Sequence, residues 1–238
     1  MTGIKKGKKI YEGKAKRVHE TDKPDLFIQD FKDDATAFDA TKRGTIKGKG
    51  VINNEISCAL FQLLESKGIP THFVKKLSER EMLVKKLDIV LVEVTIRNVS
   101  AGGLSKLLGI DEGIVLKKPV LEYHYKRDDL HDPLINDYHI EMLGLASAKE
   151  MQKIKDYTFS INEILKDFFD KAGLKLVDFK LEFGRHKGKI FLGDEISPDT
   201  CRLWDKKTNE KLDKDRFRRD LGKIEEAYQE VLKRIKKS

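Results

Sequence analysis

The chain has 238 residues, 37% of them charged and 39% hydrophobic, with a formal net charge of +8. That length allows one large domain or two small ones around a substantial core, and no apolar run is long enough to span a bilayer. Cys58 and Cys201 make no disulfide framework, and the basic opening MTGIKKGKKI lacks the apolar core of a signal peptide, so a reduced, cytoplasmic setting is expected. The positive charge calls for an anionic partner, either nucleic acid or phosphorylated metabolites. Without a stacked-aromatic RNA signature or zinc-finger spacing, nucleic acid is the weaker of the two.

Residues up to about Asp88 read as a small β-rich unit with one helix. Lys9–Glu20 forms a strand, a turn at Gly13 and a second strand, and Leu26–Phe31 forms a third. In YEGKAK, the glycine turn followed by Lys14 and Lys16 offers backbone amides and ammonium groups to nucleotide phosphates. A basic hairpin tip with no ligand fits the same letters. Val51–Lys67 places Ile52, Ile56, Leu60, Leu63 and Leu64 on one helical face, and Gly68 and Pro70 stop it.

Leu83–Lys86 and Ile89–Arg97 return to strand. In the second of these, Val90, Val92, Val94 and Ile96 face one way and Glu93, Thr95 and Arg97 the other. Arg97 leads into Ala101-Gly102-Gly103 and a short helix. A guanidinium, close backbone approach and helix amides suit a phosphate monoester, while a plain glycine turn beside an exposed arginine is the alternative. The His131-Asp132-Pro133 step makes a turn of the kind that lines sites, and His124, His131 and His139 match no zinc spacing. Ser147 and Glu150 form a capping box before a long helix that buries Met151, Ile154, Ile161, Leu165 and Phe168 and ends at Gly173.

The next stretch, LVDFKLEFGRHKGKIFLGDEISPDTCRLWD, carries the strongest functional signal. It reads as a hairpin in which Val177, Phe179, Leu181 and Phe183 alternate with Asp178, Lys180 and Glu182. The return strand ends in Gly193-Asp194-Glu195, and Arg202 follows a Pro-Asp turn. Carboxylates converging beside a lysine and an arginine suggest a magnesium-phosphate site, because Mg²⁺ uses one or two carboxylates and keeps several waters. An ordinary sheet with a charged solvent face shows the same alternation, and the pattern leaves both readings open. Register matters too: an even loop would put Asp194 on the apolar side, whereas a glycine bulge or a strand ending at Gly193 would let it join Glu182. A final amphipathic helix from about Asp213 carries Phe217, Leu221, Ile224, Tyr228, Val231 and Ile235. The whole reads as α+β, two packed lobes (residues 1–88 and 89–238) with a cleft between them.

Together, YEGKAK, LVKKLDIVLVEVTIRN, AGG, HDP, LVDFKLEFG, LGDEISPDTCRLWD and DKDRFRRDLG resemble the SAICAR synthetase (phosphoribosylaminoimidazole-succinocarboxamide synthase) family. The resemblance implies a two-lobed fold related to protein kinases and ATP-grasp enzymes. It implies joining of 5-aminoimidazole-4-carboxylate ribonucleotide to L-aspartate through an acyl phosphate, with ATP consumed. By the same resemblance Lys14 and Lys16 lie over the nucleotide phosphates, Lys85 to Ile89 form the adenine hinge, and Glu93 is near the ribose. Glu182 and Asp194 hold Mg²⁺, and Arg97 takes the 5′-phosphate with Gly103 beside it. Asp178, Lys180, Asp199 and Arg202 surround the ribonucleotide, and Asp132 belongs to the aspartate region.

Asp178 and Asp132 are the candidate bases for the aspartate amine, with bulk water as a third. The expected partners are these small molecules, not nucleic acid or a membrane, and a homodimer is compatible. Gly103 and Leu107 depart from the family pattern, where Ser and a nearby Arg are common. The rival readings are a small-molecule kinase using the same cleft and a basic RNA-binding protein.

Overall fold

The computed structural model describes residues 3–37 and 41–237. Its elements begin with β1 (Lys6–Glu12), β2 (Lys16–Thr21), β3 (Leu26–Phe31), β4 (Asp34–Ala37), β5 (Lys42–Thr45), α1 (Lys49–Ser66), β6 (Phe73–Lys76) and β7 (Glu81–Lys85). Then come β8 (Asp88–Val99), α2 (Gly103–Leu108), β9 (Val115–Tyr125), β10 (Leu134–Ile135), α3 (Asp137–Met142) and α4 (Ala148–Lys171). The chain closes with β11 (Leu174–His186), β12 (Lys189–Leu192), β13 (Cys201–Asp205), α5 (Asp215–Arg218) and α6 (Ile224–Ile235).

One five-stranded sheet runs β1-β2-β3-β7-β6, and a six-stranded sheet runs β10-β9-β8-β11-β12 with β13 also on β11. Period-two alternation explains the inner faces. Val90, Val92, Val94 and Ile96 of β8 and Phe179, Leu181 and Phe183 of β11 join one core, whereas Val177, at a register shift against β13, is buried in a separate cluster with Val99, Ala101 and Trp204. Helix α4 covers β11, and Phe169 takes the fully buried position expected of Phe168, which is only partly covered. Helix α1 buries Ile52, Ile56, Leu60 and Leu64.

The two sheets share one continuous apolar cluster. They are also stitched by backbone: Leu192 N donates to Pro70 O at 2.9 Å and His72 N to Leu192 O at 2.8 Å. Helix α6 packs on α1, so the end of the chain returns to the first sheet's helix.

The single C-terminal helix expected from Asp213 is instead α5 and α6, split by a turn in which Asp220, Gly222 and Lys223 are left-handed (φ 54, 67 and 49). The Arg216 guanidinium holds that turn, donating to Gly222 O at 2.6 Å and Leu221 O at 3.2 Å. Leu221, assigned to the buried stripe, is 46% exposed in consequence.

Candidate active site

A cavity of about 1020 Å³ lies between the two sheets. Its lining includes Lys14, Lys16, Lys85, Ile89, Glu93, Asp132, Lys180, Glu182, Asp194 and Asp199. The β1–β2 tip contributes the first two lysines, and the end of β7 and the start of β8 contribute Lys85 and Ile89. Glu93 comes from β8, Asp132 from the β9–β10 segment, Lys180 and Glu182 from β11, and Asp194 and Asp199 from the segment after β12.

The hairpin has an even connection: Lys187-Gly188, both left-handed (φ 49 and 74), pairs His186 with Lys189 and Phe183 with Leu192. Strict alternation would then turn Asp194 away from Glu182. The strand instead stops at Leu192, Gly193 N donates to Glu182 O at 2.8 Å, and Asp194 adopts φ 56, bringing its carboxylate back to the cavity. Aspartate tolerates that conformation better than most residues. Gly184 and Gly193 allow close passage of the β7–β8 connection. A Cβ at Gly184 would meet Leu87 Cβ at 2.8 Å, and one at Gly193 would meet Leu87 Cδ1 at 3.0 Å.

Four of the carboxylates around the cavity, Asp194, Glu195, Glu182 and Glu93, are each met by an ammonium. Lys16 Nζ lies 2.6 Å from Asp194 Oδ1 and 3.1 Å from Glu195 Oε1, Lys126 Nζ bonds Glu182 Oε1, and Lys180 Nζ is 2.8 Å from Glu93 Oε2. Glu93 and Glu182 stand directly opposite each other in the β8–β11 register, where like charges would repel without these lysines. Burial, then the charge of Asp194, raises the Glu182 pKa, although Lys126 and Lys180 pull it down. Burial would raise Asp194 as well, but Lys16, then Lys180 and Lys126, hold it below the usual carboxylate range. Lys126 and Lys180 thus act on both acids.

Among the described residues, no group of three or more His, Cys, Asp or Glu could cage a metal ion. Two carboxylates facing a cavity match the way Mg²⁺ is held by few protein ligands plus waters and phosphate oxygens.

Asp199 is a third anionic centre. Lys49 Nζ lies 2.7 Å from its Oδ2, Tyr228 Oη donates to Oδ1 at 2.7 Å, and Lys214 Nζ is 3.6 Å away. Burial opposes ionisation there, yet Lys214 and Lys49 hold the carboxyl far below its ordinary value. Asp132 Oδ1 accepts from Arg127 N at 2.9 Å, and neighbouring Asp128 reaches Lys14 at 3.0 Å across the cavity mouth. Lys85 turns its ammonium onto the carbonyls of Thr71 and Phe73 at 2.9 and 3.1 Å.

Four expected residues, Arg97, Asp178, Arg202 and Gly103, do not line this cavity. They form an adjoining cluster. Arg97 Nη1 is 2.7 Å and Arg202 Nη1 2.8 Å from Asp178 Oδ2. Glu122 takes the far side of Arg97 at 2.9 Å, and Asp215 that of Arg202 at 3.0 Å. The Gly102-Gly103 backbone lies against both guanidiniums: a Cβ at Gly102 (φ 54) would come within 2.4 Å of Arg202 Nη2, and one at Gly103 within 3.4 Å of Arg97 Nη2. Only a side-chain-free backbone fits at Gly102, whereas a Cβ at Gly103 would make ordinary van der Waals contact.

Sequence reasoning missed Lys126, Lys49, Lys214 and His72, all of them at or beside these centres. His72 is buried in the cavity wall, and burial, then the Lys16 charge, depresses its pKa to about 3, keeping it neutral. The one available signal was that Lys126 immediately precedes the turn containing His131-Asp132-Pro133.

The sequence profile of SAICAR synthetase matches residues 9–235. The phosphoribosylaminoimidazole-succinocarboxamide synthase of Clostridium kluyveri is 60% identical over 232 residues, covering 98% of this chain and 99% of its own. The crystal structure of the corresponding synthase from Ehrlichia chaffeensis superposes with a TM-score of 0.94 at 48% identity, covering 96% of this chain and 98% of that one. A SAICAR synthetase solved in complex with ADP gives 0.93 at 52% identity, covering 96% and 97%. The profile runs from within β1 to the end of α6, and the chain belongs to the SAICAR synthetase family.

Proposed function

We propose that the cavity is where this ATP-dependent ligase of purine biosynthesis builds SAICAR from 5-aminoimidazole-4-carboxylate ribonucleotide and L-aspartate, and that each step falls to residues named above. The observation that carries this reading is the pair Glu182 and Asp194, brought to one lysine-ringed cavity against the hairpin's own alternation. They would hold Mg²⁺, which when bound screens the nucleotide's terminal phosphates and favours transfer of the γ-phosphoryl group.

Lys14 and Lys16 cover the phosphates from the β1–β2 tip, and the β7–β8 connection meets the base. Arg97 and Arg202, beneath Gly102-Gly103, take the ribonucleotide's 5′-phosphate, and Lys180 steers the imidazole carboxylate toward the phosphoryl group. Attack by that carboxylate gives an acyl phosphate and ADP. The neutral aspartate amine, received near Asp132, then displaces phosphate. Positioning and charge compensation supply most of the rate in the first step. The enzyme acts in the cytoplasm on small molecules, not on nucleic acid or a membrane, and a homodimer is compatible with this function. A small lobe of residues 1–88 and a larger one of 89–238 bound the cleft; the five-stranded sheet lies wholly before residue 88, and the six-stranded sheet begins there.

The test is phosphate release from ATP with the ribonucleotide, with and without aspartate. Release that requires both substrates is the expected result. ADP formed without aspartate and without free phosphate would mean a hydroxyl acceptor, and hence a kinase.

A further inference from the structure

The cations already in the cavity raise a question about how a metal reaches Glu182. Lys126 follows the last residue of β9, and its own amide donates to Leu91 O at 3.2 Å, which fixes the stem beside β8. Its ammonium bonds Glu182 Oε1, with both side chains mostly covered (26% and 16% exposed). The other two ammoniums are occupied: Lys16 by Asp194 and Glu195, Lys180 by Glu93. Among the described residues, Glu182 therefore has one direct cationic partner, Lys126, on Oε1.

A dication entering between Glu182 and Asp194 competes with Lys126 for the first and with Lys16 for the second. Two unit charges are exchanged for one double charge, so the carboxylates gain little net neutralisation. Lys16 would keep Glu195 at 3.1 Å, but the released Lys126 ammonium would remain in a confined space without an anion, which is costly. A polyphosphate arriving with the ion removes that cost by giving both ammoniums new oxygens.

We infer that Lys126 is a placeholder cation: it neutralises Glu182 while the nucleotide is absent, then moves onto the phosphate oxygens and becomes a further catalytic residue when the metal–nucleotide complex binds. This rests on the reading that Glu182 and Asp194 hold the ion. It gives the site an order of events, because the free enzyme rejects the bare ion and accepts it only with its nucleotide. The swing of one lysine couples the two.

The test uses Mn²⁺ as a spectroscopic probe, titrated into wild type, Lys126→Met and Lys126→Arg and followed by electron paramagnetic resonance, first without nucleotide and then with a non-hydrolysable ATP analogue. Without nucleotide, Lys126→Met should bind Mn²⁺ about tenfold or more tightly than wild type, because Glu182 has lost its competitor. Lys126→Arg should stay weak, which also controls for folding. Turnover of Lys126→Met should fall about 100-fold, with Lys126→Arg partly restored.

Unchanged nucleotide-free Mn²⁺ affinity in Lys126→Met overturns the placeholder role, and undiminished turnover overturns the catalytic one. If Glu182→Gln leaves the nucleotide-dependent Mn²⁺ signal of wild type intact, the metal assignment itself is wrong, a failure distinguishable from the others.

Discussion

Asp194 illustrates what a single backbone angle contributes. Side-chain alternation identified the acids of β11 but left the pairing of Asp194 with Glu182 open, because the loop length that decides it is a turn property. The observed turn is even, and φ 56 at Asp194 with the glycine before it restores the meeting. No hydrophobic pattern encodes that. Lys126 was missed for a different reason: among 48 lysines and arginines, only its place ahead of the His131-Asp132-Pro133 turn sets it apart. Glu182→Ala and Asp194→Ala should each cut turnover by about two or more orders of magnitude with an unchanged thermal midpoint, and near-normal turnover in either would remove it from the metal site.

A second residue-scale prediction concerns Asp33. Its carboxylate accepts from Gly50 N at 2.8 Å and Gly48 N at 3.2 Å at the start of α1, and Arg80 grips it at 2.8 and 2.9 Å. Arg80 and those amides hold it down at about 2 despite partial burial. A depressed carboxyl stabilises the fold above its ordinary value of 3.8 and loses that contribution as pH falls through about 2. Asp33→Asn should therefore cost about 1–2 kcal/mol in urea unfolding at pH 7, and the gap to wild type should narrow at pH 3.

Among the elements, those with local signals were legible and those set by distant partners were not. The capping box at Ser147 and Glu150 is present on both sides, with Ser147 N donating to Glu150 Oε2 at 2.8 Å. Strand β9 went unseen because Pro119 interrupts its apolar run, and proline argues against a central strand. It is accommodated close to an irregularity in the β8–β9 register between Arg97 and Val99. The C-terminal helix was read through its own break because apolar spacing continued across residues that Arg216 holds in a turn. Ser147→Ala should destabilise by about 1 kcal/mol. Glu150→Ala should cost more, since Arg185, 2.6 Å from Glu150 Oε1, loses its main partner as well. Equal costs in chemical denaturation would mean that the Arg185 tie contributes nothing.

For the whole molecule, the α+β class followed from the strand and helix patterns, whereas the return of α6 to α1 did not. That contact joins residues from opposite ends of the chain, and amphipathicity says which face is buried without saying against what. The shared cluster through both sheets predicts one cooperative heat-absorption peak in calorimetry, with van't Hoff and calorimetric enthalpies equal. Two resolved peaks would show that the lobes melt separately.

The buried contacts of Asp199 bear on how substrates come and go. Lys49 anchors α1 to Asp199, Ser57 Oγ bonds Ile196 O at 3.1 Å one segment away, and Tyr228 of α6 closes the same knot. Prising Lys49 from Asp199 would strand a charge in a dry interior, at about 3–5 kcal/mol. Lys14 and Asp128, by contrast, meet in open solvent at the rim, where parting costs little. The floor of the cavity is thus pinned, and of these contacts the rim pair is the one a passing substrate parts at least cost.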